Sequence, residues 1–263
     1  MQGRLKMGAV AIVALGVGGA LAGFALTQPA AAHDPKHLDI EGVWMAFAVD
    51  PSGRLGGLTA DLTEEGKAAV KAFNDEMGEG APEAGWYCVG TGMPYVMTSL
   101  ASYPITIAQS PKSILMVSEN ENQIRRIYTD GRDFPEDYPE TRAGYSIGHW
   151  EGDTLVIETK NFKDWPQGGA PRSEEMTVTE RITMSSQDKV DAKASGFVAA
   201  IPAMDDRVLI DHMTVTDPRY YKKPLNVTVY YQPITDDNTL EYDCTVSLWQ
   251  QAVDAYKAEK EKK

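Results

Sequence analysis

The sequence predicts a mostly β fold, an antiparallel barrel or sandwich with one or two short helices, and two observations support this prediction. Segments of strand character recur roughly every ten residues through most of the chain, with turn residues between them. In addition, two β-rich runs flank Glu151-Gly152-Asp153, a composition that supplies the positive backbone angle of a tight hairpin. Both features are typical of consecutive strands joined by short turns.

The individual elements follow the hydrophobic pattern along the chain. The first strand is expected over 43–49, and Thr63 opens a helix that runs to about Met77 with Ala69 and Val70 on its apolar side. Further strands are predicted at 104–107, 114–117, 124–128, 145–150, 154–159, 176–183, 208–216, 225–232 and 239–248.

The first residues have the layout of a secretory signal. Arg4 and Lys6 precede an apolar run over 7–26, and the small residues up to Ala32 form an A-x-A cleavage site. We therefore expect residues 1–32 to be removed as a secretion signal. Residues 33–263 then form a single β-rich domain with a charged C-terminal helix or tail, in a periplasmic or secreted location. An uncleaved transmembrane anchor is the alternative, because the run is nearly long enough to span a bilayer.

The charge of the chain bears on its partners. The formal net charge of −13 becomes −15 once Arg4 and Lys6 are removed with the signal. An acidic excess of this size argues against nucleic acid and against an anionic membrane surface as partners, because both require a basic face. The sequence leaves the oligomeric state open.

The two cysteines of the chain, Cys88 and Cys244, are expected to form a disulfide, because export places them in an oxidising compartment. Two free buried thiols are the alternative. The cysteines do not have the spacing of a zinc or haem site. Cleavage after Ala32 would expose His33, whose amine and imidazole could chelate copper together with His37, but a leader that binds no metal is favoured. We accordingly expect no metal and no cofactor.

Two sequence blocks resemble a large group of uncharacterised exported bacterial proteins. These blocks are Arg125-Arg126-Ile127-Tyr128-Thr129-Asp130-Gly131-Arg132 and Gly144-Tyr145-Ser146-Ile147-Gly148-His149-Trp150-Glu151-Gly152-Asp153-Thr154-Leu155-Val156. The resemblance implies export and no particular activity. A weaker resemblance, of Gly42-Val43-Trp44 to the Gly-x-Trp opening of lipocalins, implies a lipocalin-like calyx barrel. A barrel of this size can hold one small ligand.

The candidate site follows from polar residues on the central strands. Side chains two apart share a face, so Arg126 and Tyr128 point together, as do Tyr145 and His149. If both faces line the interior, His149 and Tyr128 could serve as acid–base groups, and Arg126 could stabilise an oxyanion. Such a set could also bind an anionic or phenolic ligand. Further ligand-binding candidates are Arg125, Tyr145, Asp130, Trp44 and His212.

Each of these residues also has a structural interpretation. Arg125, Arg126 and Asp130 could form cross-strand ion pairs with Glu158 or Glu180, and His149 could be an ordinary hairpin residue. Asp211 and His212 are neighbours on one strand, so only one of the two can face inward.

Three classes of function remain from the sequence. The leading one is an exported barrel that binds a small, partly aromatic or apolar organic ligand in an internal cavity. The first alternative is a cofactor-free lyase, isomerase or hydratase that uses His149 or Tyr128 as acid–base. The second is a structural or interaction protein with a filled core.

Overall fold

The computed structural model describes residues 37–50, 61–77, 90–98, 103–164, 171–190 and 202–235, with isolated positions from 240 onwards. The chain divides into two units, 1–30 and 31–263, and all described residues belong to the second. The predicted secretion signal and the predicted disulfide between Cys88 and Cys244 lie outside the described residues, so both stay predictions. No helix among the described residues has the length and apolarity needed to cross a membrane.

The fold is a closed β-barrel of nine strands in chain order. The strands are β1 (Gly42–Asp50), β2 (Ile105–Ser110), β3 (Ser113–Ser118), β4 (Gln123–Tyr128), β5 (Tyr145–Glu151), β6 (Thr154–Lys160), β7 (Thr177–Ser186), β8 (Arg207–Thr216) and β9 (Leu225–Ile234). β1 pairs with both β2 and β9, which closes the sheet and leaves no unpaired edge. The prediction of a β-barrel is therefore confirmed.

One pair departs from the antiparallel arrangement that the sequence predicts. β4 and β5 run parallel, with Ile127 opposite Ser146 and Tyr128 opposite Ile147. A parallel pair requires a connection that returns the chain to the end at which it started. Residues 129–144 make this connection, and Thr141 anchors it beside β6 through backbone bonds with Asn161 and Lys163. A long connection of this kind does not fix the direction of the next strand, so the strand pattern could not predict the parallel pair.

The predicted hairpin at Glu151-Gly152-Asp153 is confirmed. Glu151 pairs with Thr154, so Gly152 and Asp153 form a two-residue turn, and Gly152 has a φ of 60°. The side chain of His149 is 66% exposed, whereas Trp150 packs against the core. The two rings therefore lie on opposite faces, as the two-residue period of a strand predicts.

The predicted strand over 239–248 is wrong where the structure describes it. Ser247 has helical conformation, and neither Leu240 nor Thr245 lies in a strand. Pairing of β1 with β9 already closes the barrel, so a tenth strand would have no edge to join. Described residues of the C-terminal segment are helical at Ser247, Gln251, Asp254, Ala255, Ala258 and Glu259.

The helix α1 (Glu64–Met77) begins where the sequence predicts it. The Thr63 hydroxyl oxygen accepts a hydrogen bond from the Gly66 amide at 3.0 Å, which caps the first turn. Ala69 and Val70 pack against the barrel core. The helix thus covers part of the barrel with the apolar side that the sequence indicated.

Residues 92–98, which we call the plug, extend into the barrel and include a short 3₁₀ turn at Tyr95–Thr98. Met93, Val96 and Met97 of the plug are buried in the core. Its two ends are tied to the rest of the fold, because the Met93 amide donates to the Arg142 carbonyl at 3.1 Å and the Tyr231 hydroxyl donates to the Met97 carbonyl. The plug therefore fills space that an open calyx would leave for a ligand.

We predict that Gly92→Ala destabilises the protein more than Gly131→Ala. Both glycines have a positive φ, of 70° and 78°, which costs an alanine about 1 kcal/mol. A Cβ on Gly92 would also clash with the backbone carbonyl of Arg142, whereas a Cβ on Gly131 meets nothing within 4 Å. The expected loss is about 2–4 kcal/mol for Gly92→Ala, measured by urea denaturation. Equal losses for the two variants would show that the plug is not held as described.

Candidate functional site

Arg125 of β4 is the centre of a polar network inside the barrel. Its side chain is 4% exposed and forms a two-pronged ion pair with Glu180 of β7, in which Nη1 donates to Oε1 at 2.8 Å and Nη2 donates to Oε2. Nε donates to the Ser146 hydroxyl at 3.2 Å, and Nη2 also donates to the Thr159 hydroxyl at 3.0 Å. The guanidinium is thus held in one position by groups from three strands.

Burial and the ion pair act in opposite directions on Arg125. Burial lowers the pKa of the guanidinium, but the charge of Glu180 and its hydrogen bonds outweigh this effect and raise the pKa. Arg125 is therefore charged, and its charge is balanced by Glu180. Bidentate pairing of this kind, in which two N–H groups donate to the two carboxylate oxygens, is the strongest contact an arginine makes with a carboxylate.

A second carboxyl group, Asp211 of β8, lies beside this ion pair. Asp211 is opposite Ile182 and Glu180 is opposite Met213, so the two acids are neighbours on the inner face of the β7–β8 ladder. Asp211 is fully buried, and burial followed by the charge of Glu180 raises its pKa well above the usual value of 3.8. Asp211 therefore holds a proton that an exposed aspartate would lose.

Neither side-chain oxygen of Asp211 accepts a hydrogen bond from any residue that the structure describes. A protonated Asp211 can donate to Glu180, and this contact contributes to the raised pKa. Its oxygen atoms could nevertheless accept hydrogen bonds that no described residue donates. Buried polar groups without a partner are rare in native proteins, and they are concentrated at functional sites.

Tyr231 of β9 completes the site, which consists of Arg125, Glu180, Asp211 and Tyr231. Burial, followed by the neighbouring acidic groups of Asp211 and Glu180, raises the pKa of the Tyr231 phenol well above 10. The phenol therefore stays neutral, and its hydroxyl binds the Met97 carbonyl of the plug. Through this bond the polar site is connected to the plug.

Two small apolar cavities border the site and the plug. One has a volume of about 20 Å³ and lies against Arg125, Met116 and Ser118. The other has a volume of about 10 Å³ and lies against Trp44, Leu209 and Tyr231. Each has room for about one water molecule at most. Met97 and Ile105 line both cavities, so these two side chains stand between them.

Arg126, His149 and His212 all lie outside the barrel, so the candidate site in which the Arg126 and His149 faces line the interior is wrong in its geometry. Arg126 is exposed, and the alternation of β4 turns Arg125 inward instead. His149 lies outside the barrel near Glu151, with 3.3 Å between Nε2 and Oε1. His212 is exposed and contacts the Thr228 hydroxyl at 2.9 Å, because Asp211 is the member of that pair that faces inward.

Tyr128, Tyr145 and Asp130 do come together, but on the outer side of the sheet. The rings of Tyr128 and Tyr145 stack with their centroids 5.1 Å apart, and the guanidinium of Arg132 lies 3.8 Å from the centre of the Tyr128 ring. Arg132 also binds Asp130 and the Tyr145 hydroxyl. This cluster packs the connection 129–144 onto the barrel, so these residues do not border the interior site.

Arg125 and Trp44 are the two candidates that the structure places inside. Trp44 is fully buried, and its Nε1 donates to the Ile40 carbonyl at 2.9 Å. Sequence reasoning missed Glu180 and Asp211 as site residues, although a signal was present. Asp211 alternates in phase with Leu209, Met213 and Val215, and Glu180 alternates in phase with Val178 and Ile182. An acid in the apolar phase of a strand indicates a carboxyl that faces the core.

No group of three or more potential metal ligands occurs among the described His, Cys, Asp and Glu residues. His37 contacts Trp150 by ring stacking, with centroids 4.9 Å apart. His33 lies outside the described residues, so the predicted alternative of a copper site there stays untested.

Comparison with known proteins identifies no family for this chain. No family model matches the chain, and no curated protein matches it. Among solved structures, the chain is similar to a point mutant of the fluorescent protein UnaG, with 13% identity over 75% of this chain and 97% of that one, at a TM-score of 0.32. A similarity of this size does not assign the barrel to a family. The resemblances to lipocalins and to exported bacterial proteins therefore stay predictions.

We predict that Arg125→Met destabilises the protein by about 3–5 kcal/mol, because it leaves the carboxylate of Glu180 buried without a counter-charge. The double variant Arg125→Met/Glu180→Leu should recover most of this loss, since it removes both charges. Urea denaturation of the two variants and the parent measures the difference.

The adjacent Arg126→Met provides the control, because Arg126 is exposed and its replacement should change the free energy of unfolding by at most about 0.5 kcal/mol. Similar losses for Arg125→Met and Arg126→Met, or a double variant no more stable than Arg125→Met, would contradict the ion pair as described.

Proposed function

We propose that the protein is exported and binds a small, partly apolar organic molecule inside the barrel, against Arg125, Glu180 and Asp211. The observation that carries this proposal is the buried carboxyl of Asp211, which accepts no hydrogen bond from any described residue. A ligand that donates to Asp211 would supply the missing partner.

The energetics of the interior support a functional role for the site. Apolar residues such as Ile127, Ile157 and Val229 fill most of the barrel, and apolar side chains in place of the site would give a stable core as well. Two buried carboxyls beside one guanidinium instead cost desolvation energy. Perturbed acids of this kind are concentrated where proteins bind or transform ligands.

Binding in this proposal requires the plug to move. The two cavities beside the site are too small for an organic molecule, and Met97 lies between them. Methionine is unbranched and adapts readily to a new environment. Displacement of Met97 would join the two spaces and would bring Trp44 and Arg125 into one chamber. The ligand would then replace the plug as the partner of the Tyr231 hydroxyl.

A second candidate function is a cofactor-free lyase, isomerase or hydratase at the same site. The observation that favours it is the pair Glu180 and Asp211, two neighbouring acids of which Asp211 holds its proton far above the usual pKa. Such a pair can supply an acid and a base. In this version Asp211 takes the acid–base role that the sequence suggested for His149 and Tyr128. Turnover of a bound molecule separates the two functions.

To test the proposed function, a library of small organic molecules is screened for compounds that raise the melting temperature of the mature protein. We expect compounds that bind the parent to bind Met97→Ala about tenfold more tightly, because the smaller side chain opens the space between the two cavities. Isothermal titration calorimetry measures both affinities.

Met204→Ala is the matched control, because Met204 is 58% exposed and borders neither cavity. Its affinity for the same compounds should equal that of the parent. If no compound raises the melting temperature of the parent or of Met97→Ala, the barrel is a filled structural domain and the proposed function is wrong.

A further inference from the structure

We propose that the ligand is an organic cation, an amine attached to an apolar body, whose ammonium group binds Asp211 in place of the proton. This inference rests on the proposed function and assigns the chemical class of the molecule. It follows from the charges of the site, from the hydrogen-bonding groups that remain open and from the walls around them.

The charges of the site do not balance when both acids are ionised. Arg125 of β4 supplies one positive charge, Glu180 of β7 and Asp211 of β8 supply two carboxyl groups, and Tyr231 of β9 is neutral. With a proton on Asp211 the described groups sum to zero. An ammonium group could take over the role of that proton and leave the interior neutral, which a buried site requires.

The hydrogen-bonding groups that remain open also favour a cationic ligand over an anionic one. Arg125 already donates through all three of its nitrogens, to Glu180, Ser146 and Thr159. These contacts use four of the five N–H groups of Arg125, so an anionic ligand would find one remaining N–H on Nη1 and would meet two acids. Asp211 offers acceptors only, once it is ionised, and a primary ammonium group carries three donors. The anionic ligand that the sequence suggested is thus disfavoured by the contacts of Arg125.

The apolar walls suit the remainder of such a molecule. Trp44 and Tyr231 line one cavity together with Ile107 and Leu209. Asp211 lies two residues from Leu209 on the inner face of β8, so the acid is next to this wall. The face of an aromatic ring attracts a cation, and the same ring can also pack against apolar groups. An aryl-alkyl amine would place its ring among these side chains and its ammonium group at Asp211.

The net charge of the whole chain also favours a cationic ligand. The formal net charge is −13, and the resulting negative field raises the local concentration of cations and repels anions. The field alone does not select an amine, but it agrees with the local charge of the site.

Binding of an amine by this route is coupled to proton release. The amine arrives as an ammonium ion, Asp211 loses its proton to the solvent, and the new ion pair replaces the O–H bond. No other bond forms or breaks. At a pH below the raised pKa of Asp211 in the free protein and above the pKa of Asp211 paired with the ammonium group, one proton should leave the protein for each amine bound.

The experiment compares three matched probes, 2-phenylethylamine, 2-phenylethanol and phenylacetate, and the homologues of each with longer alkyl chains. Isothermal titration calorimetry of the mature protein is performed at one pH in two buffers that differ in ionisation enthalpy, which counts the protons released. We expect at least one amine to bind about tenfold or more tightly than its alcohol and its carboxylate, with release of a proton.

Asp211→Asn tests the residue, because the amide has the shape of the protonated acid but cannot ionise. This variant should fold, since it is neutral like the parent, and should lose about tenfold or more of the amine affinity with no proton release. His212→Asn, on the outer face of the same strand, should bind the amines as the parent does.

The outcomes separate this inference from the proposed function. If alcohols or carboxylates bind as tightly as the amines, or if amine binding survives Asp211→Asn, the ligand class is wrong and the binding barrel stands. If the amines do not bind while other library compounds raise the melting temperature, the ligand class is again wrong and the proposed binding function stands. If no compound of any class binds, the proposed function itself fails, and this inference fails with it.

Discussion

The ion pair between Arg125 and Glu180 is the contact on which the interior of this barrel depends. It joins β4 to β7 across two intervening strands, and each of these strands contributes a hydroxyl, Ser146 from β5 and Thr159 from β6, to the same guanidinium. The order of these partners follows the order of the strands. A buried arginine without such partners would be costly, so Arg125 requires Glu180, and the hydroxyls of Ser146 and Thr159 satisfy its other N–H groups.

Asp211 makes the stability of the barrel interior depend on pH. Its carboxyl is fully buried, and its folded pKa is raised above the unfolded value of 3.8. The proton therefore stabilises the fold fully below the unfolded pKa, and this contribution is lost as the pH rises towards the folded pKa. A fold selected for stability alone would place an apolar residue there. The destabilising acid is explained if a ligand cation replaces the proton.

The sequence predicted the strands well, because their apolar residues alternate with period two and the turn at Gly152-Asp153 has a distinctive composition. It did not predict which face of β4 is inside, since Ile124-Arg125-Arg126-Ile127 places one arginine and one isoleucine in each phase. For β8 the apolar phase of Leu209, Met213 and Val215 identifies the inner face. The plug could not be predicted either, because its burial depends on contacts with Arg142 and Tyr231, which are distant in sequence.

Because burial and the charge of Glu180 raise the pKa of Asp211, we expect this carboxyl to hold a proton at neutral pH inside the folded barrel. Infrared difference spectroscopy of the parent against Asp211→Asn measures this directly, because a protonated carboxyl has a carbonyl stretch that an ionised one lacks. We expect the parent to show this band at pH 7, with a small shift in deuterated water, and the variant to lack it. Absence of the band from the folded parent would mean that Asp211 is ionised, and the charge balance described for the site would be contradicted.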